Sequence, residues 1–155
     1  MPDQQLAQLN IASLAYPLDS PELKDFVDNL DLINSLAERS DGFVWRLQTP
    51  AGNATDIDAA TFKDFGDDII VNMSTWRDVE SLRKFVYKTV HVRFLKRRAE
   101  WFAKMKTHSV LWWIPAGTTP TLEEAHTKLQ LLDKNGATKD AFSLDQVFQV
   151  NRPIN

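Results

Sequence analysis

Apolar positions along the chain change their spacing several times, and each change predicts an element. From Gln4 to Ala12, Leu6, Leu9 and Ile11 lie among polar neighbours and predict a first strand. Tyr16-Pro17-Leu18-Asp19 breaks it. Ser20, followed by Pro21 and Glu22, then reads as a helix start. Leu23, Phe26, Val27, Leu30, Ile33 and Ala37 recur at helical spacing, one buried face that Gly42 stops. Phe43 to Gln48 alternates as a second strand, and Thr49 to Asn53 is a turn. A polar connection leads on to Ile69–Thr75, a third strand with a β-branched start.

A long helical stretch is expected from Asp78 to about Met105, bent or broken near Thr89. His108 to Ile114 is the fourth strand, and Pro115 ends it. Thr121 and Glu124 form a capping-box pattern before a final helix, with Gly136 as its stop. Phe142, Leu144, Val147 and Phe148 are apolar enough that the tail should pack. Residues 1–136 therefore read as one domain, and 137–155 as an arm lying on the domain or on its dimer partner.

The order β-α-β-β-α-β with an added C-terminal helix is the α+β, ferredoxin-like plan. Four antiparallel strands with helices on one face leave the other face uncovered. In strand four, Val110, Trp112 and Ile114 alternate with Leu111 and Trp113, so both faces need cover. A second copy packed sheet to sheet is the economical solution, an isologous homodimer.

Composition narrows the function. At 155 residues and 43% hydrophobic, the chain can build one core without a staple. It has no cysteine, which excludes disulfides, thiolate metal sites and cysteine nucleophiles. Neither a glycine-rich phosphate fingerprint nor a Gly-x-Ser-x-Gly elbow occurs. His91, His108 and His126 lie on different elements without paired ligand spacing, so no metal is predicted. The first lysine is Lys24, and the most apolar run, Val110 to Gly117, is far too short to span a bilayer. A cytoplasmic protein without membrane contact is expected.

The net charge of −3 hides an uneven distribution. Residues 83–106 carry nine basic side chains and one acid, whereas residues 1–82 carry five basic and fifteen acidic ones. No recognition module accompanies the basic segment, so internal pairing is preferred over nucleic-acid binding. Within it, steps of three and four from His91 reach Phe94, Leu95, Arg98, Trp101, Phe102 and Met105. An arginine on such a face needs an anion, either a structural carboxylate or a bound ligand. His91 can act as base or hydrogen-bond partner near neutral pH, or simply bond a backbone carbonyl. Arg93, Arg97 and Lys104 point elsewhere, and Glu100 precedes Lys104 by four, a favourable surface pair.

Five tryptophans are the other unusual count. Trp45, Trp76, Phe85, Trp101 and either Trp112 or Trp113 could line a cleft between sheet and helix that suits a flat, apolar molecule. A plain aromatic core is the alternative for each of them.

Several stretches resemble a bacterial family known only as a domain of unknown function, placed in the dimeric α/β-barrel superfamily. They are Phe43-Val44-Trp45-Arg46-Leu47, Ala51-Gly52-Asn53-Ala54-Thr55-Asp56, Val71-Asn72-Met73-Ser74-x-Trp76 and Phe85-Val86-Tyr87. His91, Arg97-Arg98-x-Glu100-Trp101-Phe102 and Leu111-Trp112-Trp113-Ile114-Pro115-Ala116-Gly117 complete the pattern, which covers nearly all of residues 4–144. The resemblance implies a ferredoxin-like fold that dimerises through its sheets. Its superfamily includes cofactor-independent antibiotic-biosynthesis monooxygenases, haem-degrading enzymes and ligand-binding regulators. The chain departs from the family where a histidine is expected before Pro120-Thr121, and Thr118-Thr119 stands instead.

Two functional readings follow. In the first, a monooxygenase-like enzyme without cofactor holds a planar apolar substrate, with His91 as base and Arg98 and Asn72 steadying developing negative charge. In the second, the same pocket belongs to a carrier or sensor without proton chemistry. Haem with His91 as axial ligand is a third reading.

Overall fold

The computed structural model describes residues 4–17, 19–47, 61–66, 68–88, 92–93 and 96–149. Its framework is an antiparallel five-stranded sheet. β1 (Gln4–Leu14) runs through the centre. It pairs with β3 (Ile69–Trp76) on one side, and β2 (Phe43–Arg46) lies beyond β3. On its other side β1 pairs first with β5 (Ser109–Pro115) and then with the two-residue β4 (Phe102–Ala103). This is the ferredoxin-like α+β arrangement, with α1 (Lys24–Glu38) between β1 and β2 and α2 (Val79–Val86) after β3. α3 (Arg98–Trp101) precedes β4, and α4 (Leu122–Asn135) is the added C-terminal helix.

The register sorts side chains onto two faces, because neighbours along a strand point oppositely. Leu6, Gln8, Asn10 and Ala12 lie opposite Trp76, Ser74, Asn72 and Ile70. α1 and α2 cover this first face, where Ala37, Leu82 and Phe85 pack with Leu6 and Trp76. Ala7, Leu9 and Ile11, with Met73, Val71 and Val110, form the second face. That face is not left open. Ala125 and Leu129 of α4 bury completely on it, joined by Phe62 from the segment before β3. The expected uncovered face is thus corrected: the chain covers it itself, so burying that face does not require a second copy.

Local chemistry fixes the element ends. Asp78 caps α2 by accepting from the Ser81 backbone N–H at 2.8 Å, and Thr121 Oγ1 caps α4 by accepting from Glu124 N–H. A 3₁₀ turn at Pro21–Leu23 precedes α1, and the Ser20 hydroxyl makes no cap bond. Between α1 and β2, Gly42 takes φ +86° while its carbonyl accepts from Arg77 N–H at 2.7 Å. A Cβ there would clash with Ser81 Oγ, itself bonded to Asp78. Gly42→Ala is therefore expected to cost on the order of 2 kcal/mol, read from the urea midpoint. An unchanged midpoint would show that this turn yields freely.

The long helix is also corrected. Thr89 lies outside the described residues, but the last helical residue of the stretch is Trp101. Phe102 and Ala103 are extended and pair with Leu14 and Ser13. β1 recruits them because it continues beyond the reach of β5. The helical stripe therefore breaks at Phe102, and Met105 packs with the second-face core instead. Lys104 is no longer one turn from Glu100, which pairs with Arg97 at 2.9 Å. Past α4, Phe142 exchanges two backbone hydrogen bonds with Leu111 and is fully buried.

Candidate functional site

Between the first sheet face and the helices lies a cavity of about 420 Å³. Its floor is polar: Gln8 and Asn10 from β1, Asn72 and Ser74 from β3, and Ser109 from β5. Its walls are apolar: Phe26, Leu30 and Ile33 from α1, Leu82 and Phe85 from α2, then Trp101 and Phe102. Apolar walls around a few placed polar groups are the usual form of a small-molecule site, and the volume falls within the usual range.

The floor is a connected hydrogen-bond array. Gln8 Nε2 donates to Asn72 Oδ1 and to Ser74 Oγ, both at 2.8 Å. Trp76 Nε1 donates to the same Ser74 oxygen at 2.9 Å. Asn72 Oδ1 is thereby occupied, which orients its amide and leaves Nδ2 to donate. Trp76 is itself held by stacking on Phe85, with ring centroids 5.4 Å apart, and by the edge of Phe43.

Two titratable groups stand at the Asn10–Asn72 end. Arg98 is half-buried and has no carboxylate partner among the described residues, though its guanidinium lies 5.8 Å from the Phe102 ring. Burial lowers its pKa from the ordinary value, but a guanidinium stays charged. Its neighbour Arg97 differs, being engaged by both Glu100 and Asp25. His108, also half-buried, has its pKa lowered by burial and then by the Arg98 charge. Its imidazole is therefore neutral at neutral pH. His108 Nδ1 is buried without a hydrogen-bond partner among the described residues. Arg46 also lines the cavity, paired with Glu38 at 2.6 Å, and exposed Asp145 lies at the rim.

Of the residues singled out from sequence, Asn72, Trp76, Phe85, Arg98 and Trp101 meet at this cavity. His91, the candidate base and haem ligand, lies outside the described residues. Trp45, Trp112 and Trp113 do not line the cavity, which corrects their assignment. A bulge between Phe43 and Trp45 shifts the β2 register. Phe43 and Arg46 therefore reach the cavity while Trp45 joins the second-face core. Trp112 also faces that core, its Nε1 donating to Glu124 Oε2 at 2.7 Å. Trp113 is on the cavity's side of the sheet but lies against Phe142, with Nε1 donating to the Phe148 carbonyl. Neither member of that pair faces the cavity.

Gln8, Asn10, Ser74, Ser109 and His108 were not singled out. Their signal was polar alternation within strands, which also describes a solvent face. Among the described residues no group of three or more His, Cys, Asp or Glu could hold a metal ion, and no helix is long and apolar enough to cross a membrane.

Residues 5–154 match the sequence family described as a domain of unknown function, DUF3291. The chain belongs to that family. The stretches that carry the resemblance contribute Asn72, Ser74, Trp76, Phe85, Arg98 and Trp101 to the cavity. The departure at Thr118-Thr119 falls on exposed residues outside the cavity, with Thr118 Oγ1 donating to the Pro115 carbonyl. No curated protein matches the sequence.

Among solved structures, a protein of Shewanella oneidensis is 8% identical with a TM-score of 0.49, over 73% of this chain and 93% of its own. SnoaB, a cofactor-independent oxygenase from Streptomyces nogalater, is 14% identical with a TM-score of 0.46, over 75% and 96%. A conserved protein from Methanosarcina mazei is 10% identical with a TM-score of 0.46, over 73% and 93%.

Proposed function

We propose that this DUF3291 protein is a cytoplasmic small-molecule enzyme of the cofactor-independent monooxygenase type, acting on a planar, largely apolar substrate. The observation that carries the reading is the pairing of fixed donors with a neutral imidazole at one end of an apolar cavity. Asn72 is oriented by Gln8, Arg98 brings a charge with no carboxylate partner among the described residues, and His108 can accept a proton. A base removes a proton from an activated CH₂ beside a carbonyl or phenol of the substrate. Asn72 and Arg98 hold the resulting oxyanion, while the substrate's rings lie against the apolar walls. The carbanion then reduces molecular oxygen and forms a carbon–oxygen bond. Loss of water from the hydroperoxide leaves a new carbonyl: CH₂ and O₂ become C=O and H₂O.

Every residue named comes from one chain, so a homodimer would not be needed to complete the site. The test is oxygen uptake by the purified protein with planar polycyclic ketones that carry an activated methylene. Uptake of one O₂ per new carbonyl, lost in Asn72→Ala, supports the reading. Tight binding across the panel with no uptake would instead make the protein a carrier or sensor.

A further inference from the structure

The cavity has a polarity along its length that says more about the ligand. Asn72 and Trp76 both line it and are four residues apart on β3, a span of about 13 Å along the sheet. At the Trp76 end the surroundings are Leu82, Phe85 and Leu111. At the Asn72 end stand Arg98 and His108. A half-buried guanidinium is costly without an anion, and among the described residues Arg97 has a carboxylate partner where Arg98 has none. The other lining arginine, Arg46, is already satisfied by Glu38. Asp145, the one acid lining the cavity among the described residues, is exposed and forms no ion pair with Arg98.

We propose that the cavity takes an aromatic acid, its anionic group against Arg98 and Asn72 with His108 beside it, and its ring body running toward Phe85 and Trp76. The inference rests on the preceding proposal for the site's location but not for its chemistry. Arg98 supplies a planar fork suited to a carboxylate, and Asn72 Nδ2 adds a neutral donor. The apolar length beyond them fits fused rings. A neutral aromatic of the same shape would bury the same surface yet leave Arg98 without an anion.

Binding of 2-naphthoate and of uncharged 2-acetylnaphthalene, measured by calorimetry on the full chain, tests this without requiring turnover. The naphthoate is expected to bind on the order of tenfold more tightly, the value of a charge-assisted hydrogen bond to a half-buried site. Arg98→Met should abolish that preference by weakening the naphthoate far more than the ketone, and Arg98→Lys should retain most of it. Equal affinities in the wild type, or equal losses for both probes in Arg98→Met, would overturn the anionic preference while leaving the cavity as the binding site. Failure of both probes to bind would overturn the location on which both proposals stand. Should Arg98→Met not fold, the preference of the wild type and its fate in Arg98→Lys decide the matter.

Discussion

Leu129→Ala is expected to lower the free energy of unfolding by about 2–5 kcal/mol, the range for a fully buried leucine whose surroundings cannot collapse. Leu129 is completely buried in the core that joins α4 to Leu9, Val71, Met73 and Trp112. These neighbours are fixed by the sheet ladder on one side and by the Trp112–Glu124 hydrogen bond on the other. The truncation therefore leaves a void instead of a repacked contact. Urea denaturation followed by tryptophan fluorescence checks the magnitude, and gel filtration checks the oligomeric state. If the second face is covered within the chain, the variant loses stability at unchanged hydrodynamic size. A variant of unchanged stability but altered size would return the covering role to a second copy.

The same face shows what the sequence could and could not reveal. Alternation in β5 made it legible that both sides of the sheet are buried, since Val110, Trp112 and Ile114 oppose Leu111 and Trp113. What covers each side was not legible. The apolar stripe of an amphipathic helix states that it needs a partner without saying which, and α4 could equally have packed elsewhere. Phe62 follows a polar stretch and carries no periodic signal at all.

Which way Trp45 faces was not legible for a related reason. Facing depends on strand register, and one bulge in β2 sent Trp45 to the opposite side from Phe43. Trp101 lines the cavity although the helix ends there, because one turn of α3 suffices to bring Arg98 and Trp101 to it together. Gln8 and Asn10 were passed over because a polar residue on a strand looks the same whether it faces water or a cavity. Only the register opposite Ser74 and Asn72 distinguishes the two.

If the cavity performs oxygenation, Asn72→Ala should reduce kcat by about 10²–10³, the cost of removing one oriented oxyanion donor. The large figure depends on preorganisation. Gln8 fixes the Asn72 amide through its Oδ1, and Gln8 is held by Ser74 Oγ, which also accepts from Trp76 Nε1, so the donor needs little rearrangement as charge develops. KM should change far less, because the substrate's apolar body is bound by walls the substitution leaves intact. His108→Ala should cost about 10²–10⁴ if that imidazole is the base, and His91→Ala assayed beside it separates the two histidines.

The pH profile adds a sign that a structural role would not produce. His108 must be neutral to accept a proton, and burial followed by the Arg98 charge lowers its pKa from the ordinary value. Activity should therefore be full above neutrality and fall only below pH 6.5, the imidazole's ordinary value. Of the other charged groups on the cavity among the described residues, Arg46 is paired with Glu38 and Asp145 sits exposed at the rim, so Arg98 is the charge whose removal is tested. Arg98→Met takes away that repulsion, and the acid limb of kcat/KM should move to higher pH. A limb that stays in place in Arg98→Met, or survives unchanged in His108→Ala, would assign the proton transfer to another group.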